Sequence, residues 1–202
     1  MLQVTDLQPS HLDYPNTLKA YWRDRSTPIL SAIGAPELLR HRTTAIFCSV
    51  KCPGDLILKT YDLARNLRDR GVSTTSGFHS PMEKECLMLL LRGTQPVIYC
   101  PARSLDKMRL SKEQNVAIRD KRLLILSPFQ GNQHRMSAAL AQQRNQFVAA
   151  IADDIFIAYA ASGSKTETLA QQIVAWKKPL LTFKSGDNQN LIDLGAQIIH
   201  DS

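Results

Sequence analysis

Apolar residues fall into short runs of strand length, separated by longer stretches in which they recur at every third or fourth position. Residues 44–50, 72–76, 96–100, 123–126, 155–159 and 179–183 read as strands, several of them near-continuously apolar, as in parallel strands covered by helices on both faces. Between the first two, Leu56, Leu63, Ala64 and Leu67 mark a helix with Asp55 as its expected N-cap and Gly71 as its end. Pro81 suits a first helical position ahead of residues 82–91. Residues 112–119 and 136–152 continue the alternation, the latter turning Leu140, Phe147, Val148 and Ile151 inward. A helix running to about Trp176, a short one at 190–194 and an edge strand at Ile198 and Ile199 complete it.

Strands alternating with helices predict right-handed crossovers and a largely parallel sheet. The expected fold is α/β, a Rossmann-like, mostly parallel sheet flanked by helices. Residues 1–43, broken by Pro9, Pro15, Pro28, Gly34 and Pro36, read as an N-terminal extension packed on a core spanning 44–202. Within the extension, Leu18, Tyr21 and Trp22 suit a short amphipathic helix and residues 28–33 an extended segment.

One stretch concentrates the candidate chemistry. Residues 154–168 run from an apolar strand into Ser162-Gly163-Ser164 and then a helix. The first N–H groups of a helix lack internal partners and sit at its positive end, so such a turn is either an anion site or a plain helix cap. Ligands of parallel sheets bind beyond the carboxyl ends of the strands, where the strand order reverses. Ser49 and Lys51, residues 77–80, Arg103, and residues 162–166 all fall at such ends. No Gly-x-Gly-x-x-Gly follows the first strand and no Gly-Lys-Ser/Thr loop occurs, which argues against ordinary dinucleotide oxidoreductases and ATPases.

Charge adds a preference for anionic partners. Lys and Arg number 25 against 18 Asp and Glu, a net charge of +7. The excess is concentrated between Pro101 and Arg122, where Arg103, Lys107, Arg109, Lys112, Arg119, Lys121 and Arg122 face only Asp106, Glu113 and Asp120. No segment approaches the ~20 apolar residues of a membrane span, and the amino end lacks a secretion-signal profile. A soluble, cytoplasmic protein is expected. Cys48, Cys52, Cys86 and Cys100 form no Cys-x-x-Cys pair and read as free thiols, buried for the most part. His11, His41, His79, His134 and His200 are scattered, with no metal-ligand spacing and no catalytic set, so no metal, cofactor or catalysis is expected.

Seven segments, in order, resemble the DNA-processing protein A family, also called Smf, of the wider SLOG group. They are Tyr14-Pro15 with Leu18; Pro28-Ile29-Leu30 with Gly34; Ser76-Gly77; Ser104-Leu105-Asp106; Arg144-Asn145 with residues 147–153; Ser162-Gly163-Ser164; and Leu191-Ile192 with Gly195-Ala196. The departures are specific. Where the family has Gly-Ser-Arg after the first strand, this chain has Cys48-Ser49-Val50, leaving Lys51 as the nearest cation. Gly-Ile-Asp has become Pro81-Met82-Glu83, Tyr-Pro has become Arg109-Leu110, and the winged-helix carboxyl domain is expected to be missing.

The resemblance implies single-stranded DNA binding, a homodimer, and loading of a RecA-type recombinase, without catalysis. Phosphate or nucleotide binding would fall to Ser49, Lys51, Gly77, Ser162, Gly163, Ser164 and Thr166. Lys51, Lys84, Arg103, Lys107, Arg109, Lys112, Arg144 and Asn145 would contact DNA, with Phe78, His79 and Phe129 as stacking faces. Two alternatives stay open: a sensor of nucleotides or nucleotide-derived messengers, and a phosphoribohydrolase-like enzyme. The second is the less supported, because Leu169 stands where its glutamate belongs and Glu167 is out of register.

Overall fold

Each of the central strands is followed by a helix that carries the chain back across one face, and this is why the sheet is largely parallel. The computed structural model describes residues 3–22, 27–131, 133 and 137–199. Strands β1 (Thr5–Leu7), β2 (Leu30–Gly34), β3 (Thr43–Phe47), β4 (Ser73–Ser76), β5 (Val97–Tyr99), β6 (Leu123–Ser127), β7 (Asp154–Ile157), β8 (Leu180–Phe183) and β9 (Gln197–Ile199) form one sheet. Their order is β1-β2-β6-β5-β4-β3-β7-β8-β9. From β3 to β6 the chain walks one way across the sheet, and from β7 to β9 it walks the other. β2 pairs antiparallel with β6, and β1 antiparallel with β2, so the amino-terminal residues extend the sheet at one edge.

Helices α2 (Gly54–Asp69), α3 (Pro81–Leu90) and α4 (Lys112–Arg119) contribute Leu56, Leu67, Met82, Leu90 and Ile118 to one core. On the other face, α1 (Asn16–Tyr21), α5 (Ala138–Ile151), α6 (Lys165–Ala175) and α7 (Gln189–Asp193) contribute Leu18, Phe147, Val148, Ile173 and Leu191 to a second. Alternate residues of a strand serve opposite cores. In β3, Ala45 and Phe47 join the α5 side while Ile46 joins the α2 side; in β7, Ile155 and Ile157 oppose Phe156. That double burial is the physical origin of the continuous apolar runs.

Three local expectations are corrected. α2 begins at Gly54 behind Pro53 with no side-chain cap, so Asp55 lies in the first turn, where its charge still faces the helix's positive end. β3 ends at Phe47, because the Cys48 N–H turns to the Glu83 carboxylate instead of a neighbouring strand. β1 was not foreseen, being three residues with two of them exposed and no alternation long enough to see. The expected helix start at Met136 lies outside the described residues, and α5 is capped by Ser137, whose Oγ accepts from the Leu140 N–H.

The carboxyl end of α5 is held by a buried cation. Lys178 Nζ donates to the carbonyls of Ala149 (2.8 Å), Ala150 (2.7 Å) and Ala152 (2.5 Å), and sits 4.3 Å from the Tyr21 ring centroid. Burial pushes the ammonium down to about 8, while three carbonyls at the helix's negative end favour the charged form. Tyr21 in turn packs on Trp176 at 5.2 Å, and Trp22 meets Phe147 edge-on at 6.2 Å. Lys178 therefore ties α1, α5 and the entry to β8 together. Replacing it with Met keeps the stem and orphans three carbonyls, a cost of about 3 kcal/mol. Calorimetry should find the K178M melting temperature lower by roughly 6–12 °C, and a change under 2 °C would refute this role.

Candidate nucleic-acid interface

Between β3 and β7 the chain leaves one strand for α2 on one face and the other for α6 on the opposite face, so the two exits part and leave a crevice. Two serines close its floor. Ser49 Oγ accepts from the Ala161 N–H at 3.2 Å and lies 3.5 Å from Ser164 Oγ, although the two serines are 115 positions apart. The Ser49 N–H donates to the Tyr159 carbonyl at 2.9 Å. The structure thus brings together the first turn and the Ser-Gly-Ser turn.

Most of the Ser-Gly-Ser turn is satisfied internally. Gly163 adopts φ +70°, a left-handed conformation that glycine takes without strain. Its N–H donates to Glu167 Oε2 at 2.7 Å, and Glu167 Oε1 accepts from Asn190 Nδ2 at 2.5 Å. Ser164 donates its N–H to the Ala161 carbonyl and caps α6, its Oγ accepting from the Glu167 N–H at 3.2 Å. The amides expected to be free, those of Gly163 and Ser164, are therefore taken. Lys165 and Thr166, the first two residues of α6, carry the amides that have no acceptor inside the helix. Ser162 is exposed on the turn and Thr166 is half-buried.

Gly77 and Arg144 form a second unit. A Cβ on Gly77 would lie 1.5 Å from Arg144 Nη1 and 1.8 Å from Cζ, so the guanidinium rests directly on the glycine backbone. Arg144 is only 3% exposed; its Nη1 donates to the Cys100 carbonyl (3.1 Å) and its Nε to Asn145 Oδ1 (2.7 Å). Burial lowers its pKa, offset in part by the nearby Glu83 carboxylate. Arg144 was expected to contact DNA; it is instead a buried prop beneath the ends of β4 and β5. Asn145 stands half-buried beside it and fixes its orientation.

Sequence reasoning missed Glu83. Its carboxylate accepts from the N–H groups of Cys48 (3.1 Å), His79 (2.8 Å) and Ser80 (3.0 Å), tying the β3 and β4 exits together. The signal was present as Ser80-x-x-Glu83, a capping box at the start of α3. The thiols also gather here. A hydrogen bond from the Cys48 thiol holds the Cys52 pKa below the usual thiol value, while burial pushes Cys86 and Cys100 up to about 12.

The expected cations divide by exposure. Lys51, Lys84, Lys107, Arg109 and Lys112 are exposed. Arg103 is half-buried, its Nε donating to the Ser104 carbonyl at 3.2 Å. Two exposed lysines were missed, Lys165 opening α6 and Lys184 directly after β8. Only the strand order reveals them, by bringing the exits of β5, β4, β3, β7 and β8 side by side. Acidic Asp55, Glu85, Asp106, Glu113 and Asp187 are interspersed. Phe78 and Phe129 are buried, Phe78 edge-on to Tyr99 at 6.0 Å, which removes both as stacking faces; His79 is exposed. Val50, where the family has arginine, is also exposed.

The sequence model of the DNA recombination-mediator protein A family matches residues 7–202. The chain belongs to this family. Its fold superposes on DNA processing protein A from Streptococcus pneumoniae with a TM-score of 0.79 at 16% identity, covering 98% of this chain and 71% of that one. DNA processing protein A from Helicobacter pylori, whose single-stranded DNA binding mode was the subject of its structure, gives 0.78 at 22% identity, covering 98% and 91%. A molybdenum cofactor binding protein from Rippkaea orientalis shares the fold at 0.57 and 12% identity, over 80% of this chain and 91% of that one. No curated protein matches the chain.

Within the family pattern, the Ser-Gly pair after β4 has a steric reason in this chain. G77A drives a methyl group into the Arg144 guanidinium, so its melting temperature should fall by several degrees. G77A combined with R144A should recover part of that loss, and a double mutant no more stable than G77A would refute the contact. Glu167 makes a second prediction. Its hydrogen bonds to Asn190 and Gly163 hold its carboxyl below the usual range, so the stability they supply is present at neutral pH and lost as pH falls through the lowered value. The gap in melting temperature between wild type and E167Q should accordingly shrink from pH 7 to pH 3, and a gap constant over that range would contradict it.

Proposed function

We propose that this protein binds single-stranded DNA along the carboxyl edge of its sheet and acts as a non-catalytic mediator of DNA uptake and recombination. One observation carries the reading. Five adjacent parallel strands, β5, β4, β3, β7 and β8, each release the chain into a segment bearing an exposed lysine or arginine, Arg109, Lys84, Lys51, Lys165 and Lys184 among them. A row of cations at strand spacing suits a flexible polyanion, which can follow it phosphate by phosphate. The crevice between Ser49 and Ser164, bordered by the first amides of α6, suits one of those phosphates.

Family membership and the single-strand binding named for the Helicobacter pylori protein support the same reading. So does the state of Glu167, whose carboxylate is engaged by Gly163 and Asn190 and is not free to act as a base. As parts of this proposal, the protein works in the cytoplasm as a homodimer and hands the strand to a RecA-type recombinase. Residues 1–43 serve as an extension of the core spanning 44–202.

Titration of a labelled oligonucleotide tests it. With about six phosphate contacts the affinity should fall roughly 10²- to 10³-fold between 50 and 200 mM salt. The triple variant K51A/K84A/R109A should reduce the slope of log affinity against log salt by about 2. An affinity unchanged by salt, or tight uptake of a mononucleotide with no binding of the oligonucleotide, would overturn the reading.

A further inference from the structure

Cys48 and Cys52 bracket the first turn, with Ser49 and Lys51 between them, the residues that bring a hydroxyl and a cation to the crevice. Cys48 stands where the family has glycine. It is 8% exposed and belongs to the core that holds Cys86, while Cys52 is half-buried and packs against that core. The remaining thiols are placed differently. Cys86 Sγ donates to Met82 Sδ at 3.4 Å inside the core, and Cys100 lies in the core on the other face of the sheet.

The Cys48 and Cys52 sulfurs are neighbours. The Cys48 thiol donates a hydrogen bond to Cys52, which raises the pKa of Cys48, with burial adding to the rise, and lowers that of Cys52. Cys52 also directly precedes Pro53 and α2, a helix of 16 residues whose amino end no side chain caps, and that positive end favours an anionic sulfur. Burial, Asp55 and Asp187 oppose the charge without outweighing the hydrogen bond. Cys52 is therefore the member that forms a thiolate, and Cys48 is a thiol held beside it, the arrangement of an attacking and a resolving cysteine. A disulfide requires Cα atoms within about 7 Å of each other and main-chain freedom to bring them there. Cys48 is fixed, its N–H on the Glu83 carboxylate and that of Ser49 on the Tyr159 carbonyl. Val50 and Lys51 are exposed in a bend outside helix and strand, so ring closure is taken up by them.

We propose that Cys48 and Cys52 are a redox pair that a peroxide converts into an intramolecular disulfide, and that the closed ring displaces Lys51 from the row of cations. The Cys52 thiolate attacks one peroxide oxygen and the O–O bond breaks. Cys52 becomes a sulfenic acid, and the departing hydroxide recovers the proton that Cys52 had released and leaves as water. The Cys48 sulfur then attacks the Cys52 sulfur, the S–O bond breaks, and the hydroxyl departs with the Cys48 proton as a second water. The two thiols are oxidised by two electrons and the peroxide is reduced to water. The loss of Lys51 rests on the single-strand reading above, whereas the disulfide does not.

Each cysteine falls in a different tryptic peptide, spanning 43–51, 52–59, 85–92 and 93–103. The full chain, reduced, treated with hydrogen peroxide, then alkylated in denaturant and digested, should yield 43–51 joined to 52–59, with Cys86 and Cys100 alkylated. C48S should stop at the Cys52 sulfenic acid, captured by dimedone, and C52S should leave Cys48 unoxidised. Slow alkylation of Cys86 before denaturation, at least about tenfold slower than that of Cys52 in the wild type, reports an intact fold in each variant. Recovery of Cys52 as an unoxidised thiol, or a link from Cys48 to Cys86, overturns the pair. On oxidation the slope of log affinity for a labelled oligonucleotide against log salt should fall by about 1, and dithiothreitol should restore it. An unchanged slope overturns the displacement of Lys51. No oligonucleotide binding in either redox state overturns the underlying function, and with it the loss of Lys51, while leaving the disulfide standing.

Discussion

The parallel pairing of β3 with β7 is the constraint on which the rest depends. Thr44 pairs with Asp154, Ala45 with Ile155, Ile46 with Phe156 and Phe47 with Ile157, across some hundred residues of intervening chain. The chain between them, from α2 to α5, places β4, β5 and β6 on the β3 side of this seam. Because the crossovers on its two sides lead to opposite faces, the exits diverge, and backbone groups that another connection would cover stay accessible. The Ser49 and Ser164 contact is a consequence of that register, since a one-residue slip would turn each side chain to the other face.

Buried charge then makes the crevice rigid. Glu83 gathers three amides from two different exits, and Arg144 supports the Gly77 backbone from below. Neither group is in contact with solvent to any extent that matters, so each depends on hydrogen bonds and on the other's field to offset its lost hydration. Lys178 plays the corresponding part at the carboxyl end of α5. The helix carrying Arg144 and Asn145 is thereby held at its middle and at its carboxyl end.

A division of labour follows for the candidate interface. In the proposed function, exposed cations on separate exits supply attraction that any single strand would feel, while the crevice between Ser49 and Ser164 holds one of its phosphates. The loss of the family's arginine after β3 fits the first half of that division. With Val50 in its place, charge comes from Lys51 and from the neighbouring exits instead of from one concentrated point.

The sequence alone determined the order and kind of nearly every element, because strands buried on both faces must be apolar throughout and helices between them must show one stripe. It also exposed the Ser-Gly-Ser turn, the Arg-Asn pair and the basic stretch from Arg103 to Arg122. Burial and partnership were decided only in three dimensions. Arg144 reads like any other basic residue until Gly77, Cys100 and Asn145 close around it. Phe78 and Phe129 resemble stacking faces until packing buries them. Glu83, Lys165 and Lys184 gain significance only when the strand order sets their exits side by side. Local pattern reports which face of an element is dry. Which distant residue meets it there depends on long-range pairing, and no window of sequence contains both partners.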